Sequence, residues 1–305
     1  MYSIYVIGAA NRDMHARADG EITVLADSHR GIVSEHDGGV GRNIAEALSR
    51  LNIRTSLLTG LGDEHTSLGM LSRLNDLKID TSDIVISKGM RPDTYIAIYD
   101  QDGDMITAIN QMLLVNSVTP EVIENVFDKV ASSDYIVCDC NLTSETLNYI
   151  TAHMPKAKLV IDGVSITKVQ KIKHNLRKIS LIKVSTVEAA ALCNLSPKTK
   201  VRALIKELQK LTDAQIILSD GEKGFYITEG DTAHFFKAPK ILSETVTGAG
   251  DCLLAGFLFG KVNGKDVQRS AHYALRAAQL SCLSFSAVNP QITVDTLLAA
   301  ETNVL

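Results

Sequence analysis

The stretch Thr247-Gly248-Ala249-Gly250-Asp251 sets three small residues directly before a carboxylate, and an apolar run from Cys252 to Phe259 follows at once. Small residues leave backbone N–H groups bare. The first turn of a helix carries such unpaired donors and a partial positive charge of about half a unit, which makes it an anion site. An acidic side chain spoils an anion site unless the anion is a phosphoryl group in transfer and the carboxylate takes the proton of the attacking hydroxyl. In that reading Asp251 is the catalytic base, and the amides of Gly248, Ala249 and Gly250 hold the transferring group. The plain alternative is a first-turn acid that only satisfies the helix dipole. No GxxxxGK[ST] loop occurs, and GAGDCL lacks the third glycine of a dinucleotide fingerprint.

A second glycine turn lies far upstream, in DGGVGRNIAEALSRL (37–51). Ile44, Ala47, Leu48 and Leu51 fall at i, i+3, i+4 and i+7, the mark of an amphipathic helix. Asn43 reads as its N-cap and Glu46 as the capping-box partner. Gly38, Gly39 and Gly41 precede the cap, and bare backbone there lets a ligand approach closely. A tight turn with no ligand is the plain alternative.

These turns need a scaffold. The chain has 305 residues and 45% hydrophobic content, enough for a large core. Near-continuous apolar runs at 4–10, 135–140, 158–163, 180–185 and 215–220 alternate with helical patterns, so a parallel sheet covered on both faces is expected. Ligands in such sheets sit at the carboxyl ends of the strands. Two stretches break the alternation: 28–39, and 93–110 with an Asp102-Gly103 turn. They read as antiparallel strands and suggest a small sheet projecting from the main body. A further hairpin is expected at 225–238, turning at Glu229-Gly230-Asp231.

The net charge of -4 and the lack of a basic domain point away from nucleic acid. The basic cluster at 168–178 has Val169, Ile172 and Leu176 on one side and reads as a solvated helix. No run reaches the roughly 18 apolar residues of a membrane span, and the N-terminus lacks a signal-peptide n-region, so no membrane partner is expected. Five cysteines without CxxC spacing suit a reduced, cytoplasmic setting rather than zinc or disulfides.

GGVGRNIA (38–45) and TGAGDCLLAGF (247–257), in that order and at that separation, resemble the two signatures of the ribokinase-like (PfkB) family of sugar and nucleoside kinases. The resemblance spans the whole chain. It implies an α/β fold, a three-layer sandwich with a central, mostly parallel sheet, and a small β-sheet lid. Residues 1–305 would form one kinase domain, with lid strands at about 14–37 and 91–112. The family likeness implies ATP and Mg²⁺ as cofactors, a homodimer through the lid strands, and a site assignment. Asn11 and Asp13 in GAANRD, with Gly38, Gly39, Asn43 and Asn141, would contact sugar. Asp251 would be the base, with Gly248, Ala249 and Gly250 as anion hole. Glu188 in SerThrValGlu (185–188) would organise magnesium. Ser219, Gly221 and Gly224 in SerAspGlyGluLysGly (219–224) would contact ATP. Two positions depart from the family pattern: Ser185 replaces the asparagine of NxxE, and Thr245 replaces an aspartate often tied to a monovalent-cation site.

Within the family, the lid phrase DTYIAIYDQDGDMITAINQM (93–112) looks most like that of pseudouridine kinases. Thr94, Asn110 and Gln111, with Asp93, are then candidates for reading base or ribose; shaping a hairpin is their plain alternative. The implied reaction is phosphorylation of a nucleoside 5′-hydroxyl by ATP. Ribose, adenosine and inosine/guanosine kinases remain open, as does a non-catalytic nucleoside sensor. A phosphosugar kinase needs a cation for a second phosphate, and the arginines beside these motifs are Arg12 and Arg42.

Overall fold

The computed structural model describes residues 2–22, 27–241 and 247–299. Fourteen strands and ten α-helices are present among them. The strands are β1 (Ser3–Ile7), β2 (Asn11–Ala18), β3 (Gly31–Gly38), β4 (Arg54–Leu58), β5 (Gly60–Gly62), β6 (Val85–Ser87), β7 (Thr94–Tyr99), β8 (Met105–Gln111), β9 (Tyr135–Asp139), β10 (Leu159–Asp162), β11 (Leu181–Ser185), β12 (Gln215–Ser219), β13 (Gly224–Glu229) and β14 (Thr232–Lys237). The helices are α1 (Val40–Arg50), α2 (His65–Asp76), α3 (Pro120–Asn125), α4 (Phe127–Ser132), α5 (Ser144–His153), α6 (Thr186–Leu192), α7 (Val201–Leu211), α8 (Ala249–Val262), α9 (Val267–Cys282) and α10 (Val294–Leu298).

Eight strands form the main sheet in the order β14-β13-β12-β11-β10-β9-β1-β4. From β4 to β12 every pairing is parallel; β13 and β14 add an antiparallel edge. All five expected apolar runs supply strands of this sheet. Side chains alternate between its faces. Ile4, Val6, Val137, Val160, Leu181 and Ile217 pack in one core with residues of α1, α2, α8 and α9. Tyr5, Ile7, Cys138, Ile161, Ile182 and Ile216 pack in the other with residues of α5, α6 and α7. The result is the expected three layers.

A separate four-stranded sheet has the order β3-β2-β7-β8. The N-terminal apolar run therefore serves two sheets: β1 ends at Ile7, and β2 starts a new ladder at Asn11. Gly8 makes the crossing possible, because a Cβ there would meet the Asp139 carboxylate at 2.2 Å. The hairpin at 225–238 is present as β13 and β14, with Gly230 at φ 57°. The basic stretch Val169–Lys178 is helical but wound as a 3-10 helix, with Val169, Ile172 and Leu176 buried.

The helix after the first glycine turn starts earlier than its pattern suggested. α1 begins at Val40 with Gly39 as N-cap, so Asn43 stands inside the first turn and caps nothing. The glycines serve protein packing. A Cβ on Gly38 would meet the Asp13 carboxylate, and one on Gly41 would meet the Gly8 backbone. Gly39 has φ 97°, which only glycine adopts readily.

α8 is buried nearly all round and packs on α9. Gly256 makes that approach possible: a Cβ there would lie 2.6 Å from the Tyr273 carbonyl and 2.9 Å from Ala274 Cα. Gly256→Val is expected to lower stability by about 1–3 kcal/mol through overpacking. Urea unfolding at neutral pH checks this.

Candidate active site

The carboxyl ends of the parallel strands carry a row of ionisable groups. Asp139 on β9, Asp162 on β10 and Lys183 on β11 are direct ladder partners, so all three face the side covered by α1 and α8. Asp139 is buried and fully engaged. Its Oδ2 accepts from the N–H groups of Ala9 (2.8 Å) and Gly41 (2.9 Å), and its Oδ1 from Asn141 N–H (2.7 Å). One carboxylate thus ties the end of β1, the start of α1 and the loop after β9 together.

Asp251 stands in the first turn of α8, behind Gly248 in the left-handed conformation at φ 79°. It is buried, and its Oδ2 accepts from Asn43 Nδ2 at 2.8 Å. Burial drives its pKa up to about 7, and the Asp162 charge adds to this; the Lys183 ammonium and the Asn43 N–H act in the opposite direction. Lys183 lies directly beneath the turn, since a Cβ on Gly250 would be 2.6 Å from its Nζ. Its ammonium is 3.0 Å from Asp162 and feels Asp251 and Glu188, which together overcome desolvation and raise its pKa.

Glu188 is buried at the N-terminus of α6 and forms a capping box with Ser185. Its Oε2 accepts from Ser185 N–H at 2.9 Å, leaving Oε1 without a hydrogen bond to that cap. Ser185, the departure from NxxE, therefore holds the glutamate in place. A carboxylate so oriented, with one oxygen open, suits a hydrated divalent cation that keeps most of its waters. Among the described residues no cluster of three His, Cys, Asp or Glu ligands occurs.

On the small sheet, Asn11 Nδ2 donates to Asp13 Oδ1 at 2.5 Å, and both residues are buried. Burial raises the Asp13 pKa to about 6 against the opposing Asn11 bond and the Arg42 charge. The β2–β7–β8 register carries Asp13, Tyr95 and Asn110 on one face, and Arg12, Thr94 and Gln111 on the other. Thr94 and Gln111 thus lie away from Asn11 and Asp13. Thr94 Oγ1 bonds the Pro92 carbonyl, and Arg12 pairs with Glu35. Asp93 accepts from the N–H groups of Leu113, Leu114 and Val115 and starts the turn after β8. His15 and Tyr99 share the Asp13 face, with His36 across the β3 ladder from Asp13. The Tyr99 hydroxyl bonds Thr247, so this face turns toward the Gly248–Asp251 segment.

Asn141 is buried, and its Oδ1 accepts from Lys168 Nζ at 2.6 Å. Lys168 comes from the basic stretch read as a solvated face, so a cation does stand beside a candidate substrate contact. Ser219 ends β12, and Gly221 and Gly224, both at positive φ, bracket the turn into β13. These three positions share the strand-end edge with Ser185, the ladder partner of Ser219. Thr245 lies outside the described residues. Lys183 and Asp139 escaped the sequence reading, although each is a charge inside an apolar strand run, a pattern that signals a partnered buried ion.

The raised pKa of Asp251 has a stability consequence. Between its ordinary value of 3.8 and about 7 the folded protein holds a proton that the unfolded chain releases, so Asp251 lowers stability as pH rises through that window. Asp251→Asn removes this loss. Thermal melts are expected to show the variant gaining on the unaltered protein from pH 5 to pH 8; parallel curves would refute the shift.

The model of the pfkB family carbohydrate kinases matches residues 1–294. The chain is 28% identical over 303 residues to pseudouridine kinase of Escherichia coli (strain K12), covering 98% of this chain and 96% of that protein. A putative sugar kinase from Clostridium perfringens superposes with a TM-score of 0.81 at 25% identity, covering 99% of this chain and 95% of that one. The ribokinase from Cryptococcus neoformans var. grubii serotype A, solved with ADP, superposes with a TM-score of 0.82 at 20% identity over the full length of both chains. No described helix is long and apolar enough to cross a membrane. The chain belongs to the pfkB family of carbohydrate kinases and is a nucleoside or sugar phosphotransferase of ribokinase fold that acts on an alcohol group.

Proposed function

We propose that the protein phosphorylates the 5′-hydroxyl of a nucleoside with ATP, and that pseudouridine is its substrate. The carrying observation is Asp251: a buried carboxylate in the first turn of a glycine-capped helix, beside one ammonium, with a pKa near neutrality. A base poised near the working pH serves proton transfer best.

Asn11 and Asp13 bind ribose hydroxyls against the Gly38-Gly39 turn. Asn141, held by Lys168, faces the same substrate. Unprotonated Asp251 takes the 5′-hydroxyl proton as that oxygen bonds to the γ-phosphorus, and the bond from phosphorus to the β,γ-bridging oxygen breaks to release ADP. The amides of Gly248, Ala249 and Gly250, with Lys183, stabilise charge on the group in transit. Magnesium, when bound, neutralises phosphate charge; Glu188 would hold it through its waters. Ser219, Gly221 and Gly224 receive ATP.

A nucleoside, rather than free ribose, is favoured by the small sheet. Tyr95, Tyr99, His15 and His36 line the face around Asp13, with His15 and Tyr99 ring centroids 5.5 Å apart. Such a wall suits a planar base. The E. coli relative, by its name, points to pseudouridine. The opposite face carries Val33, Ile96, Ile98 and Ile109, with Ile109 70% exposed. This apolar face joins two copies of the chain through their lids. Sedimentation of Ile96→Asp/Ile109→Asp is expected to give monomer where the unaltered chain gives dimer.

ADP release with Mg-ATP over pseudouridine, uridine, adenosine, inosine, ribose and fructose 6-phosphate tests the substrate. Preference for pseudouridine is expected. Preference for ribose or a purine nucleoside would discard the substrate and keep the chemistry, and silence with ATP still bound would favour a sensor. Asp251→Asn is expected to cut kcat by about 10²–10⁴-fold, and near-normal turnover would remove Asp251 as base.

A further inference from the structure

α1 carries a chain of buried polar groups that ends on Asp251. Arg42, Asn43 and Glu46 are each less than 9% exposed. Arg42 donates from Nε and Nη2 to Asn43 Oδ1, at 3.1 and 2.6 Å. Its Nη1 donates to Glu46 Oε2 at 2.7 Å, and Arg50 Nε donates to Glu46 Oε1 at 2.8 Å. Arg42 is thereby fixed from one side and grips the Asn43 amide on the other.

That grip settles which way the amide faces. A guanidinium only donates, so the group it meets twice must be the amide oxygen. The flipped amide would set donors against donors. Asn43 Nδ2 therefore faces Asp251 and donates to Oδ2 at 2.8 Å. Its oxygen is occupied and cannot accept from a sugar hydroxyl; one Nδ2 hydrogen remains for substrate.

We propose that Arg42 is a positioning residue of the transfer step: it holds Asn43 as a donor, so that Oδ2 of Asp251 is occupied and Oδ1 is the oxygen that takes the substrate proton. This rests on Asp251 being the base. The charged groups acting on Asp251 are Asp139, Asp162 and Lys183 from β9, β10 and β11, with the Asn43 amide from α1. Among these, the Asn43 N–H favours the carboxylate over the acid. Its loss makes the carboxylate harder to form.

The test is Arg42→Met, read three ways. The kcat is expected to fall about 10–100-fold, the scale of losing an outer-shell orienting group, with KM for ATP held within about twofold. The acidic limb of the kcat–pH profile is expected to move to higher pH. In the resting protein without nucleotide, the ¹³C carboxyl signal of Asp251, assigned by its absence in Asp251→Asn, is expected to titrate at higher pH as well. Arg42→Met/Asn43→Ala is expected to be no worse than Asn43→Ala, because Arg42 acts through Asn43. An unmoved limb and midpoint, or additive losses in the double variant, would overturn the proposal. If Arg42→Met does not fold, Arg42→Lys keeps the charge but loses the two-point grip. A smaller upward midpoint shift is then expected, and an unchanged midpoint overturns the relay. Because the resting titration needs no turnover, it scores the relay separately from the base assignment, which stands or falls with Asp251→Asn.

Discussion

One ammonium balances the charge at the strand ends. Lys183 is 8% exposed, 3.0 Å from Asp162, and within the field of Glu188 and Asp251. Three buried carboxylates cannot share a dry region without a counter-charge, and stranding such a group typically costs about 3–5 kcal/mol. The rest of the site depends on this compensation. Asp251 can occupy a helix terminus with a pKa near neutrality because the cation partly offsets burial and Asp162. Gly250 is bare where Lys183 reaches the turn, so backbone donors and ammonium converge on one place. In the proposed reaction, a phosphoryl group passing there meets fixed positive charge rather than water that must reorganise.

Asp139 does for position what Lys183 does for charge. It uses both oxygens on backbone N–H groups, joining β1, β9 and α1. The turn that starts α1 is set by that clamp, and Gly8 and Gly41 lack side chains because the clamp and the α1 packing leave no room. α1 and α8 are then bridged by the Asn43–Asp251 bond, which spans 208 residues of sequence.

Much of this was legible in the sequence. Five apolar runs gave five parallel strands, and Asp102-Gly103 and Glu229-Gly230-Asp231 marked real turns, because strand period and turn chemistry are local properties. The Asp251 turn was legible for the same reason. Facing was not. Thr94 and Gln111 fall on the outer face through a register that one residue would reverse, and register depends on pairing with β2. Asn43 has the chemistry of a cap, yet Gly39 lets the helix begin four residues earlier than a cap at Asn43 would allow. Lys168 sat in a basic cluster whose pattern signalled solvent, and only the folded chain shows it bonded to Asn141.

The strand order also fixes how the chain can assemble. β1 precedes both of its neighbours in sequence, yet it lies between β4 and β9, and Ala9 just beyond it is fastened by a hydrogen bond to Asp139, 130 residues away. It cannot complete its place in the sheet until β9 has formed. α8, which brings Asp251, follows every strand of that sheet in sequence and packs against it. Such high sequence separation makes closure slow relative to locally wired folds. Asn11 and Asp13 on β2 thus precede in sequence the elements that fix them, and the cluster is complete only when α8, far downstream, has docked.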